Sequence, residues 1–176
     1  KGKRVIVIGS GATAATVVPA MANDCQHVTV LQRSPTFFIP ARNANDLADQ
    51  LRQLEVDENW IHEIVRRRIL HDQSVFTRRC FEEPDKVRDE LLGAVRAYLG
   101  PDYDIGKHFT PNYRPWRQRI AFVPDGDLFR GIRSGKASMV TDEIERFTAK
   151  GIKLKSGKEL EADLIVTATG FNLNMM

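Results

Sequence analysis

The feature that most restricts the fold is a glycine-rich turn between an apolar segment and a helix-like segment near the start of the chain. Arg4–Ile8 is a short β-branched run without polar alternation, which is typical of a strand covered on both faces of a parallel sheet. The turn follows as Gly9–Ala14, and small and apolar residues continue to Ala22, which predicts a helix despite Pro19. A second β-branched run, His27–Gln32, completes a strand-helix-strand unit. Because such a crossover joins two parallel strands, the chain is expected to be an α/β protein.

The middle of the chain has a different pattern. Apolar residues recur at helical spacing over residues 45 to 100, and Glu83-Pro84-Asp85 has the composition of a helix start. We expect two or three helices in this insertion. The aromatic and proline-rich segment from Tyr98 to Pro124 is expected to be mostly loop, and Leu128–Arg133 to form a short helix.

The last part of the chain predicts short strands. Turn residues at Lys150-Gly151 and Ser156-Gly157-Lys158 separate apolar segments between Ala137 and Ala162, as in hairpins. Asp163–Ala168 is again a continuous apolar run, typical of a strand buried on both faces. The predicted fold is therefore a Rossmann-like parallel sheet with an antiparallel β-meander and a helical insertion, all in one domain over residues 1–176.

Length and composition exclude several classes of protein. The chain has 176 residues, of which 42% are hydrophobic and 28% are charged, so it is neither a disordered nor a collagenous protein. The net charge of +3 does not by itself indicate a nucleic-acid partner, although residues 107–136 carry seven basic side chains against two acidic ones. We expect no nucleic-acid partner there, because no nucleic-acid-binding motif accompanies these residues.

The two cysteines, Cys25 and Cys80, form no CxxC pair and no Cys/His pattern. The sequence therefore predicts neither a metal site nor a disulfide framework, and a reducing cytoplasm is the expected location. No segment has the length and apolar content of a clear membrane span.

The glycine-rich turn matches the G-x-G-x-x-G/A pattern of dinucleotide-binding units. In such units the first glycine forms the tight turn, the second lets the backbone approach a pyrophosphate, and the last small residue allows close packing of helix on strand. The N-terminus of the helix offers free N–H groups and a partial positive charge to the phosphates. We therefore expect coenzyme contacts from Gly9, Ser10, Gly11, Ala12, Thr13 and Ala14. The alternative is a glycine-rich turn that serves only packing.

The end of the second strand indicates which dinucleotide is preferred. NAD-binding units place an acidic residue there, on the ribose 2′-hydroxyl. This chain has Gln32, Arg33 and Ser34 instead, so that no carboxylate would repel a 2′-phosphate and a guanidinium is available to pair with one. The sequence therefore favours NADP(H) over NAD(H). The alternative is that Arg33 is an ordinary surface residue.

Several segments together resemble the NADPH-binding domain of class B flavoprotein monooxygenases. This group includes the Baeyer–Villiger monooxygenases and the flavin-containing monooxygenases, and the chain is most similar to the ethionamide-activating branch. The segments that carry the resemblance are Arg4–Ala14, Leu31–Pro35, Phe109–Arg119, Val123–Phe129 and Asp163–Phe171. They lie towards both ends of the chain, on either side of the helical insertion.

The resemblance implies further site residues. Ala168, Thr169 and Gly170, at the end of the last apolar strand, are expected to contact the coenzyme. Arg119 corresponds to the arginine that the family places near the flavin and the nicotinamide, and it is the expected catalytic residue. Many relatives have a lysine before that arginine to help hold the 2′-phosphate. Here Gln118 takes that position, so Arg33 is expected to carry more of the preference. Without the resemblance, Arg119 is one of several basic residues in a loop.

The resemblance also implies what the larger protein does. It predicts an FAD- and NADPH-dependent monooxygenase that inserts one oxygen atom from O2 into a ketone or a soft heteroatom. Because the chain begins at Lys1 within three residues of a strand and ends without a closing element, we expect it to be part of a longer protein. Its partner would be the FAD-binding domain of the same protein, and alone it would bind NADP(H) without turnover.

Two alternatives stay open at this point. One is the NADP-binding domain of a pyridine-nucleotide flavoprotein reductase, which would be expected to carry a redox CxxC pair. The other is a non-catalytic nucleotide-binding or interaction module.

Overall fold

A computed structural model describes residues 1–171 of the chain. Four strands form a parallel sheet in the order β5-β2-β1-β9. Their bounds are Arg4–Ile8 for β1, His27–Gln32 for β2, Ala137–Thr141 for β5 and Leu164–Thr167 for β9. Helix α1, Ala12–Ala22, connects β1 to β2 and retains Pro19 within it. The strand-helix-strand unit predicted from the sequence is confirmed.

The remaining elements of the described residues are two smaller sheets and five helices. A two-stranded parallel sheet pairs β3 with β4, and an antiparallel meander has the order β6-β7-β8. These strands are β3 Phe38–Ala41, β4 Ala121–Pro124, β6 Ile144–Thr148, β7 Gly151–Leu154 and β8 Glu159–Glu161. The helices are α2 Asp46–Gln53, α3 Glu58–Glu82, α4 Pro84–Leu99, α5 Ile105–Phe109 and α6 Asp127–Arg133. The parallel sheet, the meander and the helical insertion all agree with the expected fold class.

The two faces of the parallel sheet are covered by different elements. Side chains alternate along a strand, so Val5 and Val7 face one side and Ile6 the other. On the first side they join a core with Val18 of α1 and Phe129 of α6. On the second side Ile6 packs with Leu31 and with buried side chains of the meander, among them Ile152 and Leu154. The sheet therefore lies between a helical layer and the meander, as predicted for β1.

The long helices have their own core. Cys80 of α3 and Val87 and Leu91 of α4 are buried against Phe37 and Ile120, which flank β3 and β4. The rest of α3 is largely exposed, and Trp60, for example, is 67% exposed. Asp57 caps the start of α3 by accepting a hydrogen bond from the backbone N–H of Asn59 at 2.9 Å.

The structure adds local elements that the sequence did not predict and contradicts one expectation. The segment from Tyr98 to Pro124 is mostly loop, as expected, but it also contains α5 and β4, because Ile105, Phe109 and Val123 are drawn into the core by distant partners. Strand β3 was not predicted, and it pairs with β4, about 80 residues later. Strand β9 is an edge strand with Leu164 48% exposed, although its sequence is typical of a strand covered on both faces. The prediction that no further helix or strand follows β9 involves residues 172–176, and these lie outside the described residues.

Candidate functional site

A cleft of about 620 Å³ lies at the carboxyl edge of the parallel sheet. The strands β1, β2 and β9 all end there, so residues that follow them meet although they are far apart in sequence. Four segments of the chain line the cleft. They contribute Gly9, Ser10, Gly11, Ala12 and Thr13; Gln32, Arg33, Ser34, Pro35 and Thr36; Gln118 and Arg119; and Ala168, Thr169 and Gly170.

Gly9 makes the turn out of β1 in a conformation that other residues rarely adopt. Its φ is +115°, and its N–H donates to the carbonyl oxygen of Leu31 at 2.8 Å. A Cβ atom at this position would lie 2.3 Å from the carbonyl oxygen of Ala168. Glycine is required here because the backbone that follows β9 passes directly against the turn.

Gly11 has a different reason to be glycine. It is the N-cap of α1 with an ordinary φ of −78°, and a Cβ atom there would meet no atom of the described residues within 4 Å apart from its immediate chain neighbours. Within residues 1–171, the space above Gly11 is therefore open to a ligand that approaches the backbone closely. Neither the tight turn nor packing among these residues accounts for glycine at this position.

The N-terminus of α1 suits an anionic group. No side chain of residues 1–171 caps it, and its first turn contains no acidic residue that would compete for the free N–H groups. Ala14 is only 2% exposed and packs α1 onto the sheet, as expected for the last small residue of the motif. A pyrophosphate would fit between Gly11 and this helix end.

Arg33 and Ser34 lie at the mouth of the cleft, directly after β2. Both are exposed, and Arg33 forms no ion pair within residues 1–171. None of the described residues that line the cleft is acidic. The guanidinium of Arg33 is therefore available to a phosphate of a ligand.

Two carboxylates that were not predicted from the sequence share a cavity with Arg33. Asp142 and Glu143 follow β5 and line a smaller cavity of about 260 Å³ together with Arg33 and Ile144. Hydrogen bonding from the side chain of Ser156 holds the pKa of Asp142 below its usual value, although partial burial opposes this effect. Asp142 is therefore ionised near neutral pH. The proximity of Asp142 to Arg33 could be predicted from the sequence only if β5 were known to lie beside β2.

Gln32, an expected coenzyme contact, lines the cleft and also makes hydrogen bonds within the fold. Its side chain is buried, and its amide nitrogen donates to the carbonyl oxygen of His108 at 2.7 Å and to Oγ1 of Thr141 at 2.9 Å. The ring Nδ1 of His108 also lies 2.8 Å from this hydroxyl. The Oε1 atom of Gln32 has no hydrogen-bond partner among the described residues. The amide group of Gln32 therefore ties α5 to the ends of β2 and β5, and its nitrogen is already occupied without a coenzyme.

The loop that carries Gln118 and Arg119 reaches the cleft from the other end of the chain. It follows a turn in which the N–H of Arg117 donates to the carbonyl oxygen of Arg114 at 3.1 Å. Trp116 occupies this turn with a φ of +64°, at a position where glycine or asparagine is usual. Arg119 is exposed and forms no ion pair in the part of the chain that the structure describes. The structure thus brings both residues to the wall of the same cleft as Arg33.

The described residues hold no group of three or more His, Cys, Asp or Glu side chains that could bind a metal ion. None of the helices in residues 1–171 combines the length and apolar character needed to span a membrane. Cys25 and Cys80 are free thiols, and burial raises the pKa of the Cys80 thiol.

Comparison with known proteins shows the family to which the chain belongs. The FAD-containing monooxygenase EthA of Mycobacterium tuberculosis is 47% identical over 175 residues, which cover 98% of this chain and 35% of that protein. The chain belongs to the FAD-containing monooxygenase family. EthA of Mycolicibacterium smegmatis is 41% identical over 175 residues, or 99% of this chain and 35% of that protein. The chain thus spans about a third of the length of the curated relatives that it matches. A search against family models found no match.

The fold of this member of the monooxygenase family also occurs among solved structures. An oxidised steroid monooxygenase bound to NADP superposes with a TM-score of 0.71 at 21% identity, covering 98% of this chain and 39% of that one. At this level of identity the superposition supports the fold.

Proposed function

We propose that this chain is the NADP(H)-binding part of a larger FAD-dependent monooxygenase. The observation that carries the proposal is the cleft itself. Among the described residues it joins the uncapped N-terminus of α1 and the open space at Gly11 to the guanidinium of Arg33, which forms no ion pair there. A dinucleotide with a third phosphate needs these features together. Residues 1–176 form one domain in this proposal, with residues 45–100 as its helical insertion.

Each part of the coenzyme has a candidate partner in the cleft. The pyrophosphate would lie on the N-terminus of α1, where the backbone of Gly11 allows close approach. Arg33 and Ser34 would bind the 2′-phosphate, the guanidinium in a bidentate pair and the hydroxyl as a donor. Gln118 and the segment Ala168–Gly170 line the rest of the path. In this arrangement Gln32 would line the cleft, while its side-chain amide stays bonded to His108 and Thr141.

In the whole protein, FAD would supply the redox chemistry that links NADPH, O2 and the organic substrate. The FAD-binding domain of the same protein would hold most of the flavin. The relatives are named for FAD, and the steroid monooxygenase that superposes on this chain holds NADP. We propose that the whole protein inserts one oxygen atom into a ketone or a soft heteroatom and works in the cytoplasm, whereas the present chain binds NADP(H) without turnover.

Arg119 is the residue of this chain that we assign to catalysis. It lines the cleft without a carboxylate partner among residues 1–171, so its positive charge is not neutralised within this part of the protein. A guanidinium in that position would stabilise negative charge that develops near the reactive end of the coenzyme. Gln118, its neighbour on the same wall, is neutral and leaves the 2′-phosphate mainly to Arg33.

The alternatives have less support. A pyridine-nucleotide reductase would be expected to carry a redox cysteine pair, and the two cysteines here are separated by 54 residues in sequence. A module that only mediates interactions would not need the open space at Gly11 or an acid-free cleft.

The decisive experiment measures NADPH and NADH binding to the chain by calorimetry. Arg33→Ala should weaken NADPH binding by about 1–3 kcal/mol, as for a lost hydrogen bond to a charged group, and should leave NADH binding nearly unchanged. Arg96→Ala is the matched control, because Arg96 is an exposed arginine on α4 that lines neither the cleft nor the cavity beside Arg33. Equal losses for both coenzymes would overturn the assignment of Arg33. Absence of binding of either coenzyme at millimolar concentration would favour the interaction module.

A further inference from the structure

A second cavity adjoins the proposed coenzyme cleft on the other side of Gln118 and Arg119. It has a volume of about 850 Å³ and opens to solvent between helix α3 and the loop Trp116–Arg119. Leu70, Gln73, Ser74, Thr77 and Arg78 line it from α3. Their spacing of three or four residues places them on one face of the helix. We call this cavity the α3 pocket.

The α3 pocket is strongly cationic. Three arginines line it, Arg78 from the helix and Arg117 and Arg119 from the loop, and none of the described lining residues is acidic. None of these three guanidinium groups forms an ion pair within residues 1–171. By contrast Arg79, the next residue on α3, pairs with both Glu83 and Glu90. The positive charge of the pocket is therefore not neutralised by the described part of the chain.

The pocket also has apolar and hydrogen-bonding walls. Leu70 is 49% exposed and Trp116 41% exposed, so both offer apolar surface to a bound molecule. The hydroxyls of Ser74 and Thr77 add neutral donors. An inorganic anion would use the arginines but would leave this apolar surface uncovered.

The backbone at Trp116 is held in an unfavourable conformation. Trp116 has a φ of +64°, and a large residue with positive φ persists only where surrounding contacts hold it. The indole packs edge-on against Phe76 of α3, with 6.4 Å between ring centroids, and the guanidinium of Arg114 stacks on Phe81 at 3.9 Å. These contacts fix the arginine-bearing loop opposite α3, so the pocket is preformed.

We propose that the α3 pocket binds an organic carboxylate with an apolar body. The guanidinium groups of Arg78 and Arg117 would hold the carboxylate, because a planar guanidinium matches its two oxygens. Leu70 and Trp116 would cover the hydrocarbon part. Because Arg119 lines both the pocket and the coenzyme cleft, a molecule anchored here would extend towards that cleft. This site does not depend on the identity of the coenzyme.

Octanoate is a suitable probe, and its binding to the full chain can be followed by calorimetry. We expect saturable binding that becomes about tenfold weaker or more in Arg78→Ala and in Arg117→Ala, because each removes a charged hydrogen-bond donor. Arg96→Ala should bind octanoate like the unchanged chain, since Arg96 lies outside the pocket. Circular dichroism of each variant checks that the fold is retained.

A fluorescence measurement locates the ligand. Trp60 and Trp116 are the two tryptophans of the sequence, so Trp60→Phe leaves Trp116 as the reporter at the pocket. We expect its emission to change on addition of octanoate with the same affinity that calorimetry gives. An unchanged emission at saturation would place the ligand elsewhere and overturn the proposal.

A neutral probe and an inorganic probe test separately whether binding requires the negative charge and the apolar body of the ligand. 1-Octanol and inorganic phosphate should each bind at least about tenfold more weakly than octanoate. Equal binding of 1-octanol would contradict the role of charge, and equal binding of phosphate would contradict the role of the apolar wall. Loss of octanoate binding at saturating NADPH would assign the anion to the coenzyme cleft instead. If NADPH binds normally but octanoate does not bind, the inference about the α3 pocket is wrong and the proposed function is unaffected.

Discussion

Gly9 and Ala168 are in such close contact that the turn after β1 and the backbone after β9 leave no room for a side chain between them. Gly11, two residues later, has open space above it instead. The two glycines of one motif therefore serve different purposes. Gly9 allows the close packing of two backbone segments, and Gly11 leaves the backbone accessible to a ligand.

This difference can be tested with a matched pair of substitutions. Gly9→Ala should lower the free energy of unfolding by about 2 kcal/mol or more, because the methyl group meets a backbone carbonyl that cannot move freely and φ is positive. Gly11→Ala should change the stability by less than about 1 kcal/mol, since its φ suits alanine. It should nevertheless weaken NADPH binding. Urea unfolding and calorimetry measure the two effects, and a stable Gly9→Ala variant would contradict the explanation.

Gln32 provides a second test, because its buried amide donates to two oxygen atoms. Gln32→Met removes both hydrogen bonds and should cost about 1–3 kcal/mol of stability. Gln32→Glu should cost more at neutral pH, since it places a buried carboxylate against the carbonyl oxygen of His108. Protonation would restore a donor, so the stability of Gln32→Glu should recover towards mildly acidic pH while that of Gln32→Met does not. If the two variants showed the same pH dependence, the assigned orientation of the amide would be wrong.

The stability of the chain should also depend on the protonation of His108. Burial lowers the pKa of its imidazole below the usual value, and the nearby Lys107 adds to this effect. The unfolded chain, with a His pKa of about 6.5, therefore binds more protons than the folded chain below that pH. The stability should decrease as the pH falls from about 6.5 towards the lower pKa of the folded state.

The control for this prediction is His108→Asn, which keeps a polar group near Thr141 but does not titrate. Its melting temperature should fall less than that of the unchanged chain between about pH 7.5 and pH 5.5. The carboxylates whose pKa is lowered by ion pairs, such as Asp72 beside Arg68, lose their stabilising effect at more acidic pH. Equal decreases in melting temperature for both chains would exclude His108 as the cause.

Local patterns in the sequence were sufficient to predict the elements that depend on neighbouring residues. A pattern of a few consecutive positions predicts each of these elements: the apolar run at Arg4–Ile8, the small residues of α1 and the turn glycines of the meander. The residues of the glycine-rich turn and Arg33 follow strands that could be predicted in the same way, so their approach to one cleft could be anticipated. The hydrophobic periodicity that predicts a strand or a helix is a property of consecutive residues.

What only the tertiary structure decided depends on contacts between distant segments. Strands β3 and β4 are too short to be recognised alone and are defined by pairing across about 80 residues. The burial of Gln32 follows from His108 and Thr141, and the exposure of β9 follows from its place at the edge of the sheet. The α3 pocket likewise exists only because the loop Trp116–Arg119 packs opposite a helix that precedes it by about 40 residues. Short-range periodicity carries no information about which distant segment will supply the other wall of a site, because that choice is made by the packing of the whole core.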